Sequence, residues 1–334
     1  MPAQAHKLNA PQRLNVYFQN TENRRHDREN MVGKSVSESI DWLQENYRRD
    51  KFCLWIDMWD PHEPFDPPDF DWARYLKPEY SGDRIIYPTY GRSNYMSPEE
   101  FDSLRALYAG KVTMVDRWIG RLMETIESLH LLKNTLIIWT TDHGHLFGEH
   151  ERQGKPSGEL GNLYEETTHI PLLIRHPQGW GAGKKISGLV QPPDVIPTIL
   201  DFLEIPVPDF IEGKSVWPLV NGTKDQIREC AFSGRLSDII TYRADSSAEV
   251  KTPTEIMFDG KAASRITDAV TITSGKWTYI CSAADRPSEL YDISVDPQQQ
   301  HNVIEENPAI AKDLRQKVLA FMEERRASPA RMRP

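Results

Sequence analysis

Residues 135–176 hold the side chains whose types and spacing could do chemistry. The run Thr135-Leu-Ile-Ile-Trp-Thr140 gives way to Thr141-Asp142-His143-Gly144, which sets a carboxylate oxygen and an imidazole nitrogen side by side. Such a pair can serve one divalent cation, and the glycine behind it lets the backbone turn sharply. Two ligands do not make a site, and alone the dipeptide reads equally well as a turn closed by a capping Asp. Lys155 follows in Gln153-Gly154-Lys155-Pro156, where a flexible ammonium can meet an anion as a point charge. Without company it reads as a solvated loop lysine. Upstream, Asp60-Pro61-His62-Glu63-Pro64-Phe65 places an imidazole after another apolar run, and histidine is the side chain that exchanges protons near neutral pH.

The elements that must position these groups follow from periodicity. The unalternating run 135–140 suits a strand covered on both faces. Open α/β sheets bind ligands beyond the carboxyl ends of their strands, which is where Asp142 and His143 would emerge. Residues 52–58 predict a second such strand, ending at His62. Ser97-Pro98-Glu99-Glu100 reads as a cap, a first-turn proline and a reciprocal Glu. The helix it opens carries Phe101, Leu104, Leu107, Tyr108, Val112, Val115, Ile119, Leu122, Met123 and Ile126 as one buried stripe to about residue 130.

Elsewhere the spacing predicts a helix over 35–49 capped by Ser35 or Ser37, a short helix ending at 169, strands at 170–175 and 186–190, and a helix over 194–203. Residues 1–34 read as a loosely held polar segment and 206–228 as a linker. The loop 63–96 would wall a pocket or decorate the surface. Residues 269–273, 277–281 and 289–293 predict short antiparallel strands, followed by a helix over 308–326.

The chain has 334 residues, 40 basic and 49 acidic, for a formal charge of −9. With no basic stripe, nucleic acid is excluded as the expected partner. The 3 cysteines stand apart and indicate neither a disulfide framework nor a zinc ribbon. No apolar run reaches the roughly 18 residues of a membrane span, and no signal peptide is expected. No HExxH or comparable spacing joins His145, His150 or His169 into a zinc site with His143.

Taken together, Thr141-Asp142-His143-Gly144, Gly148-Glu149-His150, Lys155, Tyr164-Glu165-Glu166, Ile170-Pro171-Leu172-Leu173-Ile174 and Asp60-Pro61-His62-Glu63-Pro64-Phe65 resemble, in order, the sulfatase family of the alkaline-phosphatase-like superfamily. Ser288-Glu289-Leu290-Tyr291-Asp292 with Asp296-Pro297 and Asn302 resembles the family's usual ending. The resemblance implies an α/β fold with a largely parallel sheet and flanking helices in residues 1–222, and a small antiparallel sheet with a helix in 223–334. It implies divalent-metal-dependent hydrolysis of sulfate esters on small molecules or carbohydrates, with Asp142 and His143 as metal ligands and His62 and Lys155 binding sulfate and assisting catalysis. Calcium is the expected metal, with Mg²⁺ or Mn²⁺ as alternatives, since many family members carry Asn where His143 stands.

The family also uses a formylglycine made from the Cys or Ser of Cys/Ser-x-Pro/Ala-x-Arg, and an Asp pair near its amino terminus. Neither stands ahead of the helix expected at 35–49, and none of Cys53, Cys230 and Cys281 fits the pattern. The expectation is therefore an amino-terminally shortened sulfatase that encodes no formylglycine and is inactive alone, with an exposed sheet edge and apolar faces. The rival readings are a phosphonate or phosphate ester hydrolase of the same superfamily and a non-catalytic anion- or partner-binding module.

Overall fold

The computed structural model describes residues 5–9, 11–155, 162–234, 269–282 and 287–324. In chain order its elements are α1 (Pro11–Thr21), α2 (Met31–Asn46), α3 (Asp69–Trp72), β1 (Gly91–Arg92), α4 (Pro98–Ser128), β2 (Ile137–Thr140), β3 (Leu146–Phe147), β4 (Arg152–Gly154), α5 (Glu165–Thr168), β5 (Leu172–Arg175), α6 (Val195–Phe202), α7 (Trp217–Val220), β6 (Cys230–Gly234), β7 (Val270–Ser274), β8 (Trp277–Cys281), β9 (Glu289–Asp292) and α8 (Pro308–Glu324). This is an α/β protein with a small antiparallel sheet toward its carboxyl end, as the sequence predicts. The chain divides into two compact units: residues 1–138, 146–154 and 174–179 form one, and 139–145, 155–173 and 180–334 the other.

The first unit is built on α4. Ser97 accepts the Glu100 N–H at 3.3 Å while the Glu100 carboxylate takes the Ser97 N–H at 2.9 Å, so the cap is reciprocal. Along α4, Met114, Val115, Trp118, Leu122 and Ile126 pack with Val32, Val36 and Leu43 of α2. Leu104 and Leu107 join a second cluster with Leu14, Phe65, Ile85 and Ile86. Two expectations are corrected here. Leu14 is 2% exposed and lies on α1, so the polar amino-terminal segment is helical in part and anchored by apolar side chains, Leu8 and Leu14 on one cluster and Val32 on the other. The loop 63–96 is neither pocket wall nor decoration alone: Phe65, Ile85, Ile86 and Met96 are core residues.

Helix α2 begins at Met31 with Asn30 in the capping position, ahead of the expected Ser35 or Ser37. Asp60 supplies the acceptor for the first turn, taking the Val32 N–H at 2.8 Å, an arrangement local sequence cannot reveal. Residues 52–58 are extended but join no assigned ladder. Their burial alternates: Phe52, Leu54, Ile56 and Met58 pack on the α2–α4 cluster, whereas Trp55 is 76% exposed. A strand is defined by its neighbour's hydrogen bonds as much as by its own side chains, so the apolar run fixed the backbone shape without supplying a partner. Three short strands pair antiparallel in the order β1-β4-β3.

In the second unit β6-β7-β8-β9 form an antiparallel meander. Ile272, Tyr279 and Leu290 pack against Leu314, Val318 and Met322 of α8. Gly275, with φ +58°, makes the tight turn between β7 and β8. The expected strand at 186–190 is absent, and Ile186 is 43% exposed. The expected linker is folded in part: Val216, Trp217, Leu219 and Val220 are buried, and the Trp217 indole donates to the Thr198 carbonyl at 2.9 Å. Strands β2 and β5 pair with each other.

Candidate functional site

Asp142 and His143 follow β2 directly, as predicted. The loop they open is held at Gly144, whose N–H donates to the Thr167 carbonyl at 2.9 Å. A Cβ at residue 144 would lie 1.9 Å from the Glu166 carbonyl oxygen, so only glycine allows this approach to α5. Thr140 adds a hydroxyl bond to the Pro171 carbonyl at 2.9 Å. Local hydrogen bonds orient the pair itself. Asp142 Oδ1 accepts the His143 N–H at 3.0 Å and the Thr141 hydroxyl at 3.4 Å.

The His143 ring nitrogen Nδ1 lies 2.8 Å from the Gly144 carbonyl. A carbonyl only accepts, so Nδ1 carries the proton and Nε2 the lone pair in the neutral ring. That Nε2 is 3.5 Å from Asp142 Oδ2. Two lone-pair atoms so spaced can both lie about 2.0–2.4 Å from one divalent ion. The carboxylate side chain is 83% exposed, which leaves it open to a ligand. The donor set is nonetheless incomplete. Among the described residues no group of three or more His, Cys, Asp or Glu side chains is arranged to hold a metal ion. The pair fits part of a coordination shell.

Lys155 lies in the same unit, partly buried, at the bend after β4. The residue before it, Gly154, has φ +91°, and a Cβ there would meet the Tyr90 ring at 2.4 Å. Glycine is therefore required at that corner, just where the sequence places it.

His62 belongs to the first unit, in the turn after the extended run 52–58. Its Nδ1 is 2.6 Å from the Glu63 carbonyl and 3.5 Å from Glu63 Oε2. By the same reasoning Nδ1 carries the proton, so in the neutral ring Nε2 is the basic nitrogen. Its ring lies 4.5 Å from the Trp59 ring centre, and its side chain keeps 24% exposure. Below this turn lies a residue that sequence reasoning missed. The Lys111 ammonium ion-pairs with Asp60 Oδ1 and donates to the His62 carbonyl at 3.1 Å. A signal existed: Lys111 sits four residues after Leu107 and three before Met114, in register with the apolar stripe.

The serine form of the formylglycine pattern also occurs once, as Ser282-Ala283-Ala284-Asp285-Arg286, which corrects the expectation that the chain encodes no such motif. Ser282 follows β8, and its N–H donates to the Ser288 hydroxyl at 3.3 Å. Residues 283–286 lie outside those described.

The family model described as Sulfatase matches residues 2–205. Arylsulfatase K of Bos taurus is 24% identical over 318 residues, which cover 86% of this chain and 54% of that protein. An arylsulfatase of Clostridium perfringens is 30% identical over 206 residues, 55% of this chain and 40% of its own length. The chain thus spans about half the length of the curated relatives it matches. Among solved structures, a phosphonate monoester hydrolase of Agrobacterium radiobacter superposes with a TM-score of 0.69 at 23% identity, covering 90% of this chain and 62% of that one. A protein solved with its substrate D-glucosamine-2-N,6-O-disulfate gives 0.67 at 20% identity, covering 90% and 71%. The family match takes in more than half of the chain and contains the Asp142-His143 corner, Lys155 and the His62 turn; the chain belongs to the sulfatase family.

Proposed function

We propose that this chain carries part of the centre of a sulfuric ester hydrolase acting on sulfated small molecules or carbohydrates. The observation that carries the reading is the match to the Sulfatase model across residues 2–205, with Asp142 Oδ2 and His143 Nε2 held 3.5 Å apart at the end of β2. A sulfate ester is anionic and its leaving alkoxide a poor one, so its hydrolysis needs cationic groups on the oxygens, a nucleophile and a proton donor. Lys155 offers an ammonium group for the sulfate oxygens. His62, once protonated, donates from Nε2 to sulfate or to the leaving oxygen. Asp142 and His143 would take part in holding a divalent metal, Ca²⁺ in the first place, which when bound supplies positive charge to sulfate.

The nucleophile and the remaining metal ligands are assigned to sequence that the longer relatives possess and this chain does not span. Ser282 is expected to remain an ordinary serine, because it sits at the end of β8 in the small carboxyl-terminal sheet, and intact-mass and peptide analysis reads this directly. On this reading the 334-residue chain shows no turnover of an aryl sulfate such as 4-nitrophenyl sulfate. A longer form that carries the family's nucleophile does turn it over, and loses activity about 100-fold or more on Asp142→Ala or Lys155→Ala, as removal of a single group that stabilises transition-state charge does. Turnover by the 334-residue chain itself sinks the division of labour. Preference of the extended form for a phenylphosphonate monoester would transfer the assignment to phosphonate ester hydrolysis, the activity named for the Agrobacterium protein of similar fold. Absence of any activity after extension favours a non-catalytic anion-binding module.

A further inference from the structure

Lys111 is 4% exposed and lies within the apolar stripe of α4, between Leu107 and Met114, which are both 0% exposed. Its ammonium pairs with Asp60, the two side chains being 5% and 3% exposed, and it also donates to the His62 carbonyl at 3.1 Å. The second Asp60 oxygen accepts the Val32 N–H at 2.8 Å. One charge pair therefore joins the middle of α4, the first turn of α2 and the Asp60–His62 turn. Stability alone is a weak reason for such an arrangement. Desolvation of two buried charges offsets most of their attraction, and apolar residues of similar volume often do as well or better. What an apolar pair cannot do is grip a named carbonyl from a fixed direction.

We propose that Lys111 and Asp60 are positioning residues for His62. The ammonium takes the His62 carbonyl, Asp60 fixes the ammonium, and the helix amide at Val32 fixes Asp60. The backbone from which the imidazole projects is thereby set, and the ring keeps Nδ1 on the Glu63 carbonyl at 2.6 Å and lies against Trp59. Nε2 then remains the basic nitrogen of the neutral ring. The purpose of this positioning, though not the positioning itself, rests on His62 being a sulfate-binding residue.

The test uses the 334-residue chain with isotope-labelled histidine, the His62 ring signals being assigned by their loss in His62→Gln. In Asp60→Asn/Lys111→Met both charges are removed together and an oxygen remains for the Val32 N–H, so no lone buried charge is left behind. The expected result is a retained cooperative thermal transition with loss of the single Nδ1–H tautomer signature at His62, its ring signals shifting and broadening. Ring signals that superimpose on those of the wild type, in a variant whose melting temperature alone has changed, overturn the proposal. If the double variant does not fold, Lys111→Met alone removes the donor to the His62 carbonyl, leaves a carboxyl able to take up a proton, and carries the same expectation and the same refutation. Sulfate titration followed on the same signals reads the functional assignment separately. A His62 ring released in the variants but indifferent to sulfate leaves the positioning intact and sinks the substrate role.

Discussion

Asp194, with no exposed surface, is saturated with hydrogen bonds. One carboxylate oxygen accepts the Lys214 N–H at 2.8 Å and the other the Gln191 N–H at 2.7 Å, while both accept from the Arg228 guanidinium. Arg228→Met would leave this carboxylate buried without its countercharge, and the expected loss is about 3–5 kcal/mol. It would be read as a lower urea midpoint with an unchanged slope. Exposure reverses the weighting at His169. Its ring nitrogen meets Glu165 at 3.1 Å with 79% of the side chain in solvent, and the hydrogen bond to Glu165 raises its pKa above the ordinary value near 6.5. A raised folded-state value means the contribution is complete below about pH 6.5 and disappears as pH climbs through the folded value. Screening holds it to less than about 1 kcal/mol. Glu165→Gln should flatten this slope in thermal melts between acid and mildly basic pH, and an unchanged slope would exclude the pair as its source. The Asp194–Arg228 partnership could not be read from sequence, because Arg228 lies 34 residues on, in what composition marks as a linker; Glu165 and His169 stand at the i,i+4 spacing that brings helix side chains together.

At the scale of elements, what the sequence makes legible is whatever is decided within a few residues. The α4 cap is spelled out by Ser97 and Glu100, and Ser97→Ala should cost about 1 kcal/mol by removing the acceptor for the Glu100 N–H, measurable by the same urea titrations. The Asp142-His143 corner was legible for the same reason, since strand, dipeptide and glycine are contiguous. Gly144→Ala should disrupt it by driving a methyl group into the Glu166 carbonyl, with a loss of about 1–3 kcal/mol from overpacking. Long-range partners set the limit. Val112 was assigned to the buried stripe and is 41% exposed, whereas Lys111 takes the buried place. Hydrophobicity ranks valine above lysine for burial, and only the carboxylate 51 residues earlier reverses that order. The same holds for 52–58, where the alternation of buried and exposed side chains is observed but no neighbouring strand could be named from the run itself.

For the molecule as a whole, the side chains that remain in water matter as much as those that pack. Trp55 and Trp59, on the outward face of the extended run, are 76% and 56% exposed; Leu173 of β5 is 58% exposed and Phe210 is 83% exposed. Single exposed apolar residues are ordinary, but two tryptophans alternating along one extended segment with no assigned ladder make a surface suited to pairing with another chain. Two consequences follow at micromolar concentration: the 334-residue chain should bind the dye ANS while keeping a cooperative melt, and it should associate as concentration rises, seen as a growing weight-average mass in sedimentation. Trp55→Glu removes about half of the outward indole surface and adds a charge to a chain already at −9. It should lower both signals without lowering the melting temperature, because Trp55 takes no part in the α2–α4 cluster. Undiminished association in that variant would place the sticky surface elsewhere, at Phe210 or at the edge carrying Leu173, and the matching substitutions there would decide which.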